Sequence, residues 1–228
     1  MPNPSTTRAG SSRKGRVIRS LRPVWIRIGY WVSVAIAVAA VVRRLLELAF
    51  PPRSVPAQLA GIDAAFASEE VLTLVHVLTA LAFVLVTPFF IFRNFKGTVW
   101  AERLLFPLGA IVGLSAYAMT SVASIGGWTE RCAILVFNTL FLYSLFRAYE
   151  YWRRDEATLK RRWMTRAIGI LLGITTTRPV IGIFFATSRI THLTPNQFFG
   201  IAFWIGFSIN TVAVEVWLRR GTGMRLPE

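Results

Sequence analysis

Val71 to Phe92 reads VLTLVHVLTALAFVLVTPFFIF and carries no acidic residue, lysine or arginine. A helix needs about 20 mostly apolar residues to cross the hydrocarbon core of a bilayer. This stretch is long enough. The totals agree with it: of 228 residues, 54% are hydrophobic, and the mean hydropathy is +0.51. Such a composition belongs to the membrane class.

Five further apolar segments follow the same logic. They run roughly from Trp25 to Leu46, Leu104 to Ile125, Cys132 to Tyr149, Met164 to Ser188 and Phe198 to Leu218. The fold expected is therefore all-α, a polytopic bundle of six transmembrane helices. The net charge of +15 would suit nucleic acid, but the basic residues fall between the apolar runs rather than on a soluble face. Lipid is the expected surrounding, and no nucleic-acid partner is expected. Basic residues in short loops mark the cytoplasmic side. The tail up to Arg27 holds seven. The loop after the second segment holds Arg93, Lys96 and Arg103. The loop after the fourth holds Arg147, Arg153, Arg154, Lys160, Arg161, Arg162 and Arg166, and the end of the chain holds Arg219, Arg220 and Arg225. The other side has only Arg43, Arg44, Arg53, Arg131 and Arg189. Both termini are expected in the cytoplasm. Most tryptophans fall near segment ends, where an amphipathic indole favours the interface; Trp204, inside the last segment, is the exception.

Residues 1–24 are polar, basic and rich in Ser, Gly and Pro, and read as a disordered cytoplasmic tail. Residues 25–220 form the six-helix domain and 221–228 a short cytoplasmic tail. The outer loop from Pro51 to Glu70 contains IDAAFASEE, which suggests a short amphipathic helix. With a single cysteine, Cys132, the chain has neither an internal disulfide nor a CxxC site. No P-loop, GxSxG, HExxH or GxGxxG pattern is present. Function must reside in the bundle or its short loops.

Gly109-x3-Gly113 and Gly169-x3-Gly173 offer small faces for close helix packing, or for a homodimer. Arg178, in ITTTRPVIGIFF, stands near the middle of the fifth segment. An arginine there costs about 2.5–3.5 kcal/mol on insertion scales, so it is expected to face the interior. Asn210 reaches a similar depth on the sixth helix, and Glu215 lies closer to its cytoplasmic end. Arg178, Asn210 and Glu215 are the candidate ligand-binding set. Pro179 lacks an N–H and frees the Thr175 carbonyl, so a kink is expected there. Thr175 and Thr177 are expected to satisfy the loosened backbone, and Asn138 to join helices. The only histidines are His76, in the outer third of the second helix, and His192, in an outer turn. They are candidates for haem or metal, without a ligand-spacing motif.

One stretch has a further association. KRRWMTRAIGILLGITTTRP, Lys160 to Pro179, places Arg162-Trp163-Met164 and Arg166 before a threonine-rich turn ending in Arg178. Trp204, Asn210 and Glu215 follow on the next helix, and His76 and PFFIF lie earlier. From Val71 to Arg219 the chain resembles the bacterial membrane-protein family termed domain of unknown function 2306. The resemblance implies a bacterial cytoplasmic (inner) membrane and carries no activity. It also implies histidines at the cytoplasmic starts of helices three and five. Here those places hold Glu102 and Lys160, so a family site built on them would be lost.

The resulting reading is a non-enzymatic membrane protein without a cofactor. Its polar centre at Arg178, Asn210 and Glu215 would bind a small ligand, a lipid or a partner subunit. A b-type haem or quinone-linked electron-transfer protein using His76 is the second reading. An accessory subunit of a larger membrane complex is the third.

Overall fold

The computed structural model describes residues 24–50, 70–92, 98–122 and 126–222. Every element among them is a helix: α1 (Val24–Ala49), α2 (Glu70–Ile91), α3 (Thr98–Val122), α4 (Gly127–Arg153), α5 (Ala157–Leu171), α6 (Gly173–Thr191) and α7 (Pro195–Thr222). Five stretches are long and apolar enough to cross a membrane: Glu70–Ile91, Val99–Val122, Gly127–Arg153, Ala157–Ser188 and Pro195–Arg220. The chain is thus an all-α, multi-pass membrane protein. The tail before Val24 and the outer segment 51–69, with its expected short helix, lie outside the described residues.

Helix ends follow local chemistry. Thr194 precedes Pro195, whose missing N–H is no loss in a first turn. The Gln197 side chain accepts the Thr194 backbone N–H at 3.0 Å and its hydroxyl at 3.2 Å, a capping-box arrangement. At the other end of α6, His192 takes a left-handed conformation, φ 53°, and donates its N–H to the Ser188 carbonyl at 2.9 Å. Asp155, φ 57°, turns the chain between α4 and α5.

Sequential helices pack side by side in antiparallel fashion. α2 lies on α3, α3 on α4, α4 on α5 and α6 on α7; α7 returns against α4 and α5, and α1 rests on α2 and α6. The main core sits among α1 to α5 around Phe83 and Phe141, both fully buried, with rings edge to face at 5.9 Å. A smaller aromatic cluster, Phe184, Phe185, Phe198 and Phe199, closes the far end of α6 and α7. Tyr30 ties α1 to α2: its hydroxyl donates to Thr87 Oγ1 at 2.5 Å, because Thr87 gives its own hydrogen to the Val84 carbonyl.

The fifth segment breaks, but not at Pro179. The interruption falls at Leu172, where the Thr175 N–H turns to the Leu172 carbonyl at 3.0 Å instead of the residue four back. Proline loosens the turn before it, and the next residue in that direction able to yield is Gly173. A Cβ there would stand 2.9 Å from Phe207 Cα, so α7 presses directly on this backbone.

Candidate functional site

The glycines set how α5 and α6 are rotated. A Cβ on Gly169 would meet Val214 Cβ at 2.8 Å, and one on Gly206 would meet the Thr177 nitrogen at 2.6 Å. Positions 169, 173, 176 and 177 therefore face α7, as residues three and four apart must share a side. Asn210 accordingly donates its side-chain N–H to Thr176 Oγ1, and also to the Gly206 carbonyl at 3.3 Å. Arg178 stands two residues beyond Thr176, where a helix turns away, and it lies on the exposed face. Arg178 was expected to face the interior; it is exposed, because the angle around the helix carries it away from the α7-facing side that holds Thr176. That angle was readable from Gly169-x3-Gly173.

Glu215 is engaged elsewhere. Arg166 Nε donates to its Oε2 at 2.9 Å and Arg166 Nη2 to its Oε1 at 3.3 Å, a forked ion pair; Arg219 Nε adds a third bond at 3.1 Å. Asn210 and Glu215 thus meet different partners, Thr176 on α6 and Arg166 on α5.

The end of the bundle where α2, α4 and α7 finish and α3 and α5 begin is rich in charge. Arg166 and Arg147 lie over the Trp163 ring, 4.5 and 5.7 Å from its centre. Arg147 also reaches Glu150 at 2.8 Å and the Tyr151 hydroxyl at 2.6 Å. Arg161 donates to the Ile91 carbonyl at 3.1 Å, binding α5 to the end of α2. Lys160 Nζ donates to Glu102 Oε2 at 2.6 Å, with both side chains largely covered. These two are the positions where the resemblance implied histidines, and the fold brings them together as an ion pair. Sequence named Glu102, Lys160, Trp163, Arg166 and Glu215 one by one but did not pair them, since pairing depends on how the helices pack.

His76 Nδ1 donates to Ser115 Oγ at 2.8 Å, because Ser115 gives its hydrogen to the Val112 carbonyl. This links α2 to α3. His192 caps α6 and is exposed. The two histidines lie on different elements, His76 bonded through its ring and His192 capping through its backbone N–H. Among the described residues no group of three or more His, Cys, Asp or Glu side chains is placed to hold a metal. Asn138 joins α4 to α3 by donating to the Gly113 carbonyl at 2.9 Å, and Thr175 and Thr177 donate to the Leu172 and Gly173 carbonyls. Sequence reading overlooked Glu130, which is buried and accepts the Gly126 N–H at 2.5 Å. An acid in the first turn of a helix after a glycine pair was its signal. Trp204 also finds its reason: its indole N–H donates to the Thr129 carbonyl at 3.2 Å.

Comparison with protein families, curated proteins and solved structures finds no match to this chain.

The two glycine pairs are filled by the chain's own helices. Gly109 lies under Leu145 and Phe83, Gly113 under Leu142, Gly169 under Val214 and Gly173 under Phe207. Gly182 differs: nothing stands within 4 Å of where its Cβ would be. It shares a face with Arg178 and Ala186, four residues to either side, and all three are exposed. Asn210, Asn138 and His76 are spent on joining helices, whereas Gly182 on this face of α6 has open space over it.

Proposed function

We propose that this chain is a non-enzymatic, six-span protein of a bacterial cytoplasmic membrane with both termini inside, acting as a subunit that binds a membrane partner through α6. The 26-residue length of α1 and its packing beside α2 and α6 support a sixth crossing. The distribution of Lys and Arg supports the orientation, and the resemblance to domain of unknown function 2306 supports the bacterial membrane.

One observation carries the partner reading. The exposed line Arg178–Gly182–Ala186 has small residues with open space over Gly182, whereas the glycine pairs of the other seams are filled. Small residues spaced by four are what close helix contact in lipid uses. The occupant proposed is a transmembrane helix of a different protein. It would carry small residues opposite Gly182 and Ala186 and an oxygen acceptor level with Arg178. A guanidinium has five donors, so this bond adds to any that Arg178 already makes. A second copy suits the face less well, since a two-fold contact there would bring two Arg178 cations together.

The test is a photo-crosslinking residue at Ala186 in the full chain in its native membrane, with Leu114, an exposed position on α3, as control. The reading expects an adduct from position 186 whose crosslinked peptide belongs to a transmembrane helix of another protein. That adduct should vanish in Gly182→Ile while the melting temperature holds. Adducts to a second copy, or equal yields at 186 and 114, would overturn it.

A further inference from the structure

The corner where α5 begins and α7 ends combines two features that a phospholipid also combines. The first is a cluster of cations. Arg166 and Arg219 share Glu215. Arg162 lies one turn before Arg166 on α5, and Arg220 follows Arg219 in the last turn of α7. The two helices run antiparallel, with Gly169 against Val214 and Arg166 against Glu215. One turn further out, Arg162 comes level with Arg219 and Arg220. Two guanidinium groups therefore hold the one carboxylate, and Arg162 and Arg220 add two more cations at the same level of the corner.

The second feature is an apolar stripe. Ile205, Ile209, Val212 and Val216 are all exposed and are spaced as one side of α7. Adding three or four to Val216 gives Arg219 and Arg220, so the same side runs from apolar to cationic as it reaches the rim. We propose that this corner binds an anionic phospholipid. Its phosphodiester would lie on Arg162, Arg219 and Arg220, and its acyl chains along the stripe from Val216 to Ile205. Guanidinium groups suit phosphate oxygens by their forked donors. The stripe is what favours a lipid: a free phosphate or an acidic protein would use the cations alone. Arg153 and Arg154, exposed at the end of α4, provide a pair of cations away from the stripe; losing two cations by charge alone would cost about 25-fold.

The experiment uses the full chain in mild detergent. Intact-complex mass spectrometry titrates it with phosphatidylglycerol, with phosphatidylcholine of the same chain length, and with inorganic phosphate. Binding of phosphatidylglycerol should exceed that of phosphatidylcholine. Each arginine near a membrane surface is worth roughly fivefold in affinity, so Arg162→Ala/Arg219→Ala/Arg220→Ala should lose the preference by about 100-fold. Arg153→Ala/Arg154→Ala should keep it. Arg220→Glu, a single exposed change that leaves the ion pairs intact, should lower binding about tenfold or more at an unchanged melting temperature. Equal binding of the two lipids, equal losses in the triple variant and the Arg153/Arg154 control, or full displacement by millimolar phosphate would overturn the proposal.

Discussion

The two ends of the bundle solve the same problem differently. At the basic end, helices are joined by long charged side chains: Arg166 to Glu215, Lys160 to Glu102, Arg161 to the Ile91 carbonyl. At the opposite end they are joined by backbone proximity and by rings packed edge to face. A Cβ on Gly126 would sit 2.7 Å from the Gly200 nitrogen, and Phe185 meets Phe198 with ring centres 4.9 Å apart. The single buried carboxylate described there, Glu130, serves a helix start. Long cationic side chains reach water and headgroups while their stems stay apolar. The difference teaches where this fold can tolerate change: charge is exchangeable at one end, and space is scarce along the seams between them.

The largest effect expected is on space. Gly206→Leu would drive a side chain into the Thr177 backbone, whose nitrogen and Cα lie 2.6 and 2.8 Å from the added Cβ. Overpacking costs typically 1–3 kcal/mol, and more where backbone must move. We expect about 3 kcal/mol or complete loss of folded protein, read by thermal unfolding in detergent and by the monodisperse fraction. A melting temperature close to that of the parent would show that α6 and α7 are less tightly joined than described.

Charge removal should cost less. Glu215→Ala leaves Arg166 and Arg219 facing each other without their carboxylate. The pair is about a quarter exposed, with side chains at 20% and 33%, so the loss should be about 1–2 kcal/mol, between surface and buried pairs. It should shrink in Arg166→Leu/Glu215→Leu, which removes both partners. Equal losses in the single and double variants would mean that the ion pair itself does not join the helices.

The smallest effect belongs to the polar bonds within the spans. His76→Leu and Ser115→Ala should each cost about 0.6 kcal/mol, the usual worth of one interhelical hydrogen bond in lipid, and a double-mutant cycle should recover most of that as coupling. No coupling would leave His76 without a structural task and reopen it as a functional group.

Much of the fold could be read from composition alone. The apolar runs and the packing pairs Gly109-x3-Gly113 and Gly169-x3-Gly173 act locally, and local signals survive in sequence. The grouping of Arg178 with Asn210 and Glu215 rested on depth alone. Depth in the membrane follows from counting residues, but rotation around a helix axis follows from which side packs. Arg178 and Thr176 share a depth and point to different sides. The ion pairs at the basic end escaped for the opposite reason: Glu102 and Lys160 are far apart in sequence, and only tertiary packing makes them partners.

The account depends on the basic end lying in the cytoplasm. That is tested most directly by replacing exposed Cys132 with Ser and placing one cysteine at Asp155, in the turn between α4 and α5, or at His192, beyond α6. Intact cells are then treated with a membrane-impermeant maleimide. The account predicts labelling of His192→Cys in whole cells and of Asp155→Cys only after lysis. The reverse pattern would place the arginine-rich end outside and contradict it.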